Sequence, residues 1–274
     1  MNLFQSLIYG LVAGLAEFLP ISSQAHQQIL LYLFGVDVID PARSLFVHIG
    51  ILFALFAGIR PYMDQIRREQ ALARRRGRDR SNLRTFADMR LVRNAVLPMI
   101  VGILLVSYIF TSDTSLITVS LFLVINGIVL YLPDRMIRGN KDARSMSRLD
   151  SYLLAFSGAC SALPGISLIG AVTSVSIARG ADRQKALNWA FLLSIAALIT
   201  LSCLDLFQIF GSIASIHLFS GFVGYLISGV CACLSAYAGI VLIKQFTVRN
   251  SNAVFAYYCW GTALFTFLIY LTVV

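Results

Sequence analysis

The sequence predicts an all-α integral membrane protein: a polytopic helical bundle of two inverted repeats, each with a re-entrant helix-loop-helix and three spans. Three observations carry this. Apolar residues fill 58% of the 274 positions and charged residues only 13%, against about 25% charged in soluble domains. Basic residues gather in a few loops between long apolar runs. Two of those runs are broken by proline in a related pattern. The mean hydropathy of +0.79 excludes a soluble enzyme, a disordered chain and a coiled coil, because lipid is the solvent that rewards this much apolar surface. At roughly 20 residues per span plus connections, no length remains for a separate soluble domain. Residues 1–274 therefore read as one membrane domain, with repeat one at 1–133 and repeat two at 150–274.

Residues 3–36 would make one very long helix, but Pro20 interrupts them, followed by Ile21-Ser22-Ser23-Gln24-Ala25-His26. In lipid a broken helix is tolerated only where its backbone is buried in protein or lines a wet cavity. A hairpin with its tip near the middle of the bilayer is expected. Met1–Ala16 has no basic n-region, and Glu17-Phe18-Leu19-Pro20 is not a small-residue cleavage site, so no cleaved signal peptide is expected. A span at 44–60 follows the polar stretch with Asp37, Asp40 and Arg43. Next comes a basic loop, 61–93. Eleven of the 22 basic residues lie from Arg60 to Arg93, with Arg74-Arg75-Arg76-Gly77-Arg78-Asp79-Arg80 at the centre. Spans flank this run closely, so it marks the cytoplasmic face and attracts anionic lipids. No nucleic-acid partner is expected.

Spans at 94–111 and 114–133, joined at Ser112-Asp113, return the chain to a second basic loop, 134–149, with Arg135, Arg138, Lys141, Arg144 and Arg148. Residues 150–180 are broken by Pro164-Gly165-Ile166-Ser167, which resembles Leu19-Pro20-Ile21-Ser22 in the first hairpin. Spans at 186–204, 217–243 and 252–274 complete the chain, with Lys244 and Arg249 in the loop 244–251. With all three basic loops in the cytoplasm, the first hairpin enters from outside, the second from inside, and both termini lie outside. That is an inverted-topology repeat with two broken helices, an arrangement that puts a binding site at the repeat interface near the midplane. The expected location is the plasma membrane, multi-pass.

Glu17 is the only carboxylate of residues 1–36. A charged group at the centre of a membrane helix costs about 2.5–3.5 kcal/mol on insertion scales, so Glu17 is a candidate base or a ligand for a proton or metal. Ser22 and Ser23 suit the N-cap of the second half-helix. Ser23 and His26, three apart, can share one face of that helix start, which sets a hydroxyl beside an imidazole, the minimal nucleophile–base pair. A half-helix start also offers unpaired N–H groups and a positive dipole end, a ready anion site, and Pro164–Ser167 offers the same from the other half. Two such starts converging near the midplane suit a lipid-linked phosphate or diphosphate. The five cysteines all lie in apolar stretches without a C-x-x-C pair and read as small hydrophobes.

Gly14-Leu15-Ala16-Glu17-Phe18-Leu19-Pro20-Ile21-Ser22-Ser23-Gln24-Ala25-His26 resembles the first signature of the undecaprenyl-diphosphate phosphatase (bacitracin-resistance) family, EGxxEFLPVSSxxH. His48-Ile49-Gly50 is similar to the family's H-x-G, Pro164-Gly165-Ile166-Ser167 to the start of PGxSRSxxT, and Phe191-Leu192-Leu193-Ser194-Ile195 to FLLxIP. The resemblance implies a helical fold with two re-entrant hairpins and removal of one phosphate from undecaprenyl diphosphate, regenerating a cell-wall carrier lipid. It implies Glu17, Ser23 and His26 as catalytic residues and Ser22, Gly165 and Ser167 as substrate-binding positions. It allows Mg or Ca as cofactor, the metal ligands being unknown, and a homodimer. The chain departs from the pattern at Ala13 (a glutamate in the family), Leu168 (the arginine), Ile169, Val172, Asn188 and Ala196. A cation on a transferring phosphoryl group is worth about 10³–10⁵ in rate, so weakened hydrolysis is expected. The alternative is a non-hydrolytic polyprenyl-phosphate binding protein or lipid translocase.

Overall fold

The computed structural model describes residues 1–36, 40–75, 84–110, 115–136, 139–211, 218–249 and 252–273. Among them the secondary structure is helical: α1 (Leu3–Phe18), α2 (Ser23–Leu33), α3 (Pro41–Arg75), α4 (Arg84–Ile109), α5 (Leu116–Tyr131), α6 (Arg148–Ala159), α7 (Leu168–Ala178), α8 (Arg183–Gly211), α9 (Leu218–Arg249) and α10 (Ala253–Val273), with short 3-10 turns at Leu132–Arg135 and Cys160–Ala162. Six helices are long and apolar enough to cross a membrane: α3, α4, α5, α8, α9 and α10. They are the six spans expected from the sequence, and the chain is a polytopic helical membrane protein.

The boundaries differ where charge begins. The expected loop 61–93 is largely helix, since α3 continues to Arg75 and α4 starts at Arg84. The polar residues there (Gln65, Arg67, Arg68, Glu69, Gln70) are good helix formers, and Asp64 pairs with Arg67 one turn on at 3.7 Å. At 1.5 Å per residue the 35 residues of α3 span about 50 Å, well beyond a hydrocarbon core of about 30 Å. Likewise α9 runs through the expected 244–251 loop to Arg249. Asp37, Arg76, Arg78, Asp79, Arg80, Ser112, Asp113 and Arg138 lie outside the described residues.

α1 and α2, with 16 and 11 residues, and α6 and α7, with 12 and 11, are each too short for that core, at about 16–24 Å. Their outer starts are fixed by capping boxes, Asn2 with Gln5 and Ser147 with Asp150, each satisfying two otherwise orphaned N–H groups.

Close backbone packing holds the bundle together. α1 lies along α9, and a Cβ at Gly10 would stand 2.3 Å from the Ser228 carbonyl oxygen, one at Gly14 2.1 Å from that of Ala232. On the other side of α9, a Cβ at Gly50 of α3 would meet the Gly229 carbonyl oxygen at 2.1 Å. Small residues four apart let membrane helices approach this way, where dispersion rather than water expulsion is the driving force. α4 packs on α6, α5 on α10, and α3 and α7 on α8. The buried centre holds Tyr9, Phe18, Trp189 and Phe191, with Phe18 edge-on to Phe191 at 5.9 Å.

Candidate functional site

The two proline breaks meet. Ser22, which caps α2, has φ 68°, the one non-glycine positive φ among the described residues. Such a conformation costs about 1–3 kcal/mol and persists only where neighbours fix it. Here its hydroxyl accepts the N–H of Ala25 (3.4 Å) and, across the junction, of Gly165 (3.2 Å), while its carbonyl accepts from the His26 ring Nδ1 at 2.8 Å. Gly165 has φ 129°, and a Cβ there would fall 2.5 Å from Phe122, so only glycine fits. Ser167 caps α7: its hydroxyl accepts from the Gly170 N–H (3.2 Å) and donates toward the Leu19 carbonyl (3.5 Å).

Asn126 of α5, fully buried, clamps both breaks. Its amide nitrogen donates to the Pro20 carbonyl and its amide oxygen accepts from the Ser167 N–H, each at 3.0 Å. Several N–H groups expected to be open to an anion are therefore engaged within the junction, those of Gly165 and Ser167 among them. Four others at the helix starts, on Ser23 and Gln24 of α2 and Leu168 and Ile169 of α7, have no hydrogen-bond partner among the described residues.

Beside this junction lies a polar chain. The Ser23 hydroxyl donates to the Ala13 carbonyl at 2.9 Å and accepts from the Gln27 amide at 2.8 Å; the Tyr9 hydroxyl donates to the Gln27 oxygen at 2.5 Å. Glu17 lies close enough to Ser23 and to His48 of α3 to interact with both electrostatically. His48 Nδ1 in turn meets Asp205 of α8 at 2.7 Å, both side chains nearly buried. A carboxylate on one ring nitrogen fixes the tautomer and balances a proton taken up at the other. Serine, Glu17, His48 and Asp205 can thus strip, hold and return a proton.

His26 does not join this chain. The expected Ser23–His26 pair is not formed: Gln27, one turn on, takes the Ser23 hydroxyl, and the His26 ring folds back on the Ser22 carbonyl. Its Nε2 meets the Tyr258 hydroxyl at 2.8 Å, with the rings stacked at 5.6 Å. It looks into a groove of about 440 Å³ between α2 and α10, lined by Ile29, Leu30, Thr262 and Phe265.

Leu168 is buried at the first position of α7. Arg179, 11 residues on, is held by Asp150 at 2.5 Å. Arg43 is buried, donating to Ser6 (2.7 Å), Ser228 (3.0 Å) and the Gly224 carbonyl (3.3 Å), and in electrostatic reach of Tyr9. Sequence reasoning missed Asn126, Asp205 and the part played by Arg43. Two of them carried a signal: Asn126 is a lone amide in the apolar run 114–133, and Asp205 a carboxylate at the edge of a span. No group of three or more His, Cys, Asp or Glu side chains disposed to hold a metal occurs among the described residues. Among the described residues no second carboxylate stands free beside Glu17, so these donors do not make a resident Mg or Ca site.

The family model described as bacitracin resistance protein BacA matches residues 6–265. An undecaprenyl-diphosphatase of Methanobrevibacter smithii is 31% identical over 278 aligned residues, covering 98% of this chain and 98% of that protein. One of Treponema denticola is also 31% identical, over 84% of this chain and 86% of its own. A third, of Thermosipho africanus, is 26% identical over 96% and 98%.

Proposed function

The chain belongs to the bacitracin resistance protein BacA family, and on that premise we propose that it is a membrane hydrolase that takes the terminal phosphate from undecaprenyl diphosphate, at reduced turnover. The observation that carries this is the set of four N–H groups without a partner among the described residues at the starts of α2 and α7, which meet through Ser22 and Gly165, with Ser23 on the first of them. Unpaired N–H groups with a positive dipole end hold a phosphate without a dedicated cation.

In this reading the terminal phosphate rests on the N–H groups of Ser23, Gln24, Leu168 and Ile169. Glu17 takes the Ser23 proton as the serine oxygen bonds to phosphorus. The bond to the bridging oxygen breaks, Glu17 passes that proton to the departing phosphate oxygen, and undecaprenyl phosphate leaves. Glu17, ionised again, takes a proton from water, whose oxygen bonds to phosphorus as the bond to Ser23 breaks; the proton passes to the Ser23 oxygen and inorganic phosphate is released. His48, held by Asp205, faces Glu17 and balances its charge. His26 with Tyr258 borders the groove where the prenyl chain lies. No step runs through a metal. Leu168 leaves the transferring group without the arginine of the family pattern, at a cost of about 10³–10⁵ in rate.

The halves support a two-fold inverted repeat: each runs helix, break, short helix and three long helices, and α1 packs on α9 as α6 packs on α4. The two broken pairs then enter from opposite faces of the plasma membrane, with the basic loops in the cytoplasm.

Phosphate release from undecaprenyl diphosphate by the purified protein in nanodiscs tests the proposal. Glu17→Gln and Ser23→Ala should each lower release at least about a hundredfold while lipid binding persists. Tight binding without release, in the unmodified protein, would favour the second reading that buried Leu168 supports, a non-hydrolytic binder or translocase. Neither binding nor release would overturn both.

A further inference from the structure

Away from the paired breaks, a cavity of about 670 Å³ opens between residues 90–98 of α4 and the first turn of α6. Arg90 and Arg93 of α4 and Arg148 of α6 line it, and none of the three has an ion-pair or hydrogen-bond partner among the described residues. Nearby carboxylates do not neutralise them. Asp150 is held by Arg179 at 2.5 Å and by the Ser147 N–H at 2.7 Å, and Asp88 by Trp189 and Tyr62 at 2.8 and 3.0 Å.

Two neutral polar side chains complete the wall. Asn94 has no hydrogen-bond partner among the described residues. Ser151 lines the cavity too, and its hydroxyl makes no hydrogen bond among the described residues. The start of α6, a helix of 12 residues, adds its positive dipole end. The position suits a membrane interface. Arg90 and Arg93 stand about 9 and 13 Å along α4 from its start, and Leu97, 69% exposed, begins the apolar surface just beyond.

We propose that this cavity binds the phosphate of an anionic membrane lipid, its chains running down Leu97 and Tyr152. Three arginines lining one cavity match a phosphomonoester, which carries about −1.5 to −2 at neutral pH, better than a singly charged diester. The site is separate from the proposed hydrolytic centre and does not depend on it.

The test is lipid retention by the full-length protein, read by native mass spectrometry after exchange into detergent with dioleoyl phosphatidate, phosphatidylglycerol or phosphatidylcholine. Phosphatidate should be retained most, phosphatidylglycerol less and phosphatidylcholine least. The combined Arg90→Gln, Arg93→Gln and Arg148→Gln variant should lose about a hundredfold in phosphatidate affinity, and Arg93→Gln alone about fivefold, on the usual per-arginine scale at a lipid surface. Ser151→Ala should weaken phosphatidate more than phosphatidylglycerol and keeps the proposal testable if the triple variant fails to fold. Arg144→Gln, whose arginine already pairs with Asp142 at 2.9 Å, should change nothing. Equal retention of phosphatidylcholine, or unaltered affinity in Arg93→Gln and Ser151→Ala, would overturn the proposal. So would displacement by an equal concentration of inorganic phosphate, which would make this a free-anion site.

Discussion

Replacing Asn126 with alanine leaves the buried Ser167 N–H without a partner and the Pro20 carbonyl with only the Cys259 thiol at 3.8 Å; each is at present 3.0 Å from the amide. Side-chain hydrogen bonds inside membrane proteins average only about 0.6 kcal/mol, so the bonds themselves are the minor part. Leaving a buried donor or acceptor unmet costs about 1–3 kcal/mol, and the Ser167 N–H alone sets that loss. For a chain of this size, about 2–4 °C of melting temperature is lost per kcal/mol, so the protein in detergent should melt at least about 2 °C lower. Asn126→Asp keeps an acceptor for Ser167 but loses the donor to Pro20, and should fall between wild type and alanine. Ser22→Ala frees the Gly165 N–H in the same junction, so its effect and that of Asn126→Ala should not add. Intrinsic-fluorescence melting of the five proteins, the Asn126→Ala/Ser22→Ala double variant included, checks the series. An unchanged midpoint in Asn126→Ala, or strict additivity with Ser22→Ala, would show that the two breaks are not held through this amide.

Three further outcomes are expected. His48→Gln and Asp205→Asn should lower phosphate release by similar factors, and the double variant should be no worse than either single one, because the pair acts as a unit; independent losses would remove Asp205 from the reaction. Leu168→Arg should raise release modestly, and Leu168→Arg with Ala13→Glu more than additively, since Ala13 is fully buried and a lone glutamate there lacks a counter-charge; malachite-green phosphate detection measures both. A cysteine at Arg144, in a cysteine-free background, should react with an impermeant maleimide only from the cytoplasmic side, and labelling from outside alone would break the inverted-repeat assignment.

The number and order of spans were legible because lipid imposes a simple rule on composition, and each apolar run became a helix. Where the helices stopped was not, because Arg, Glu and Gln continue a helix as readily as Leu does; hydropathy sees the water boundary and not the last turn of α3 or α9. Proline and serine marked both breaks, and Ser22 and Ser167 are their caps. The proton chain was only partly visible. Glu17 and Ser23 share a motif, whereas Asp205 lies 157 residues from His48, a pairing that only the packing of α3 on α8 creates. Spacing placed Ser23 beside His26, but spacing cannot say that Gln27 and Tyr258 compete for them.

The glycine contacts of α1 with α9 bear on how a lipid could pass through this protein. α1 belongs to the first half and α9 to the second, and carbonyl oxygens of α9 fill the space a side chain would need on α1. Such a seam has one register: sliding by a residue would press Leu11 or Leu15 against the backbone that Gly10 and Gly14 now meet. The halves are dovetailed, so rocking one against the other as a rigid block would have to pull this joint apart. α2 has no such joint among the described residues; it rests on α1, with a small contact to α5 and the His26–Tyr258 contact to α10. On the proposed function, entry of a lipid headgroup to the junction would fall to displacement of this short helix, which would carry Ser23 and His26 with it and make access and assembly of the proposed serine site a single event.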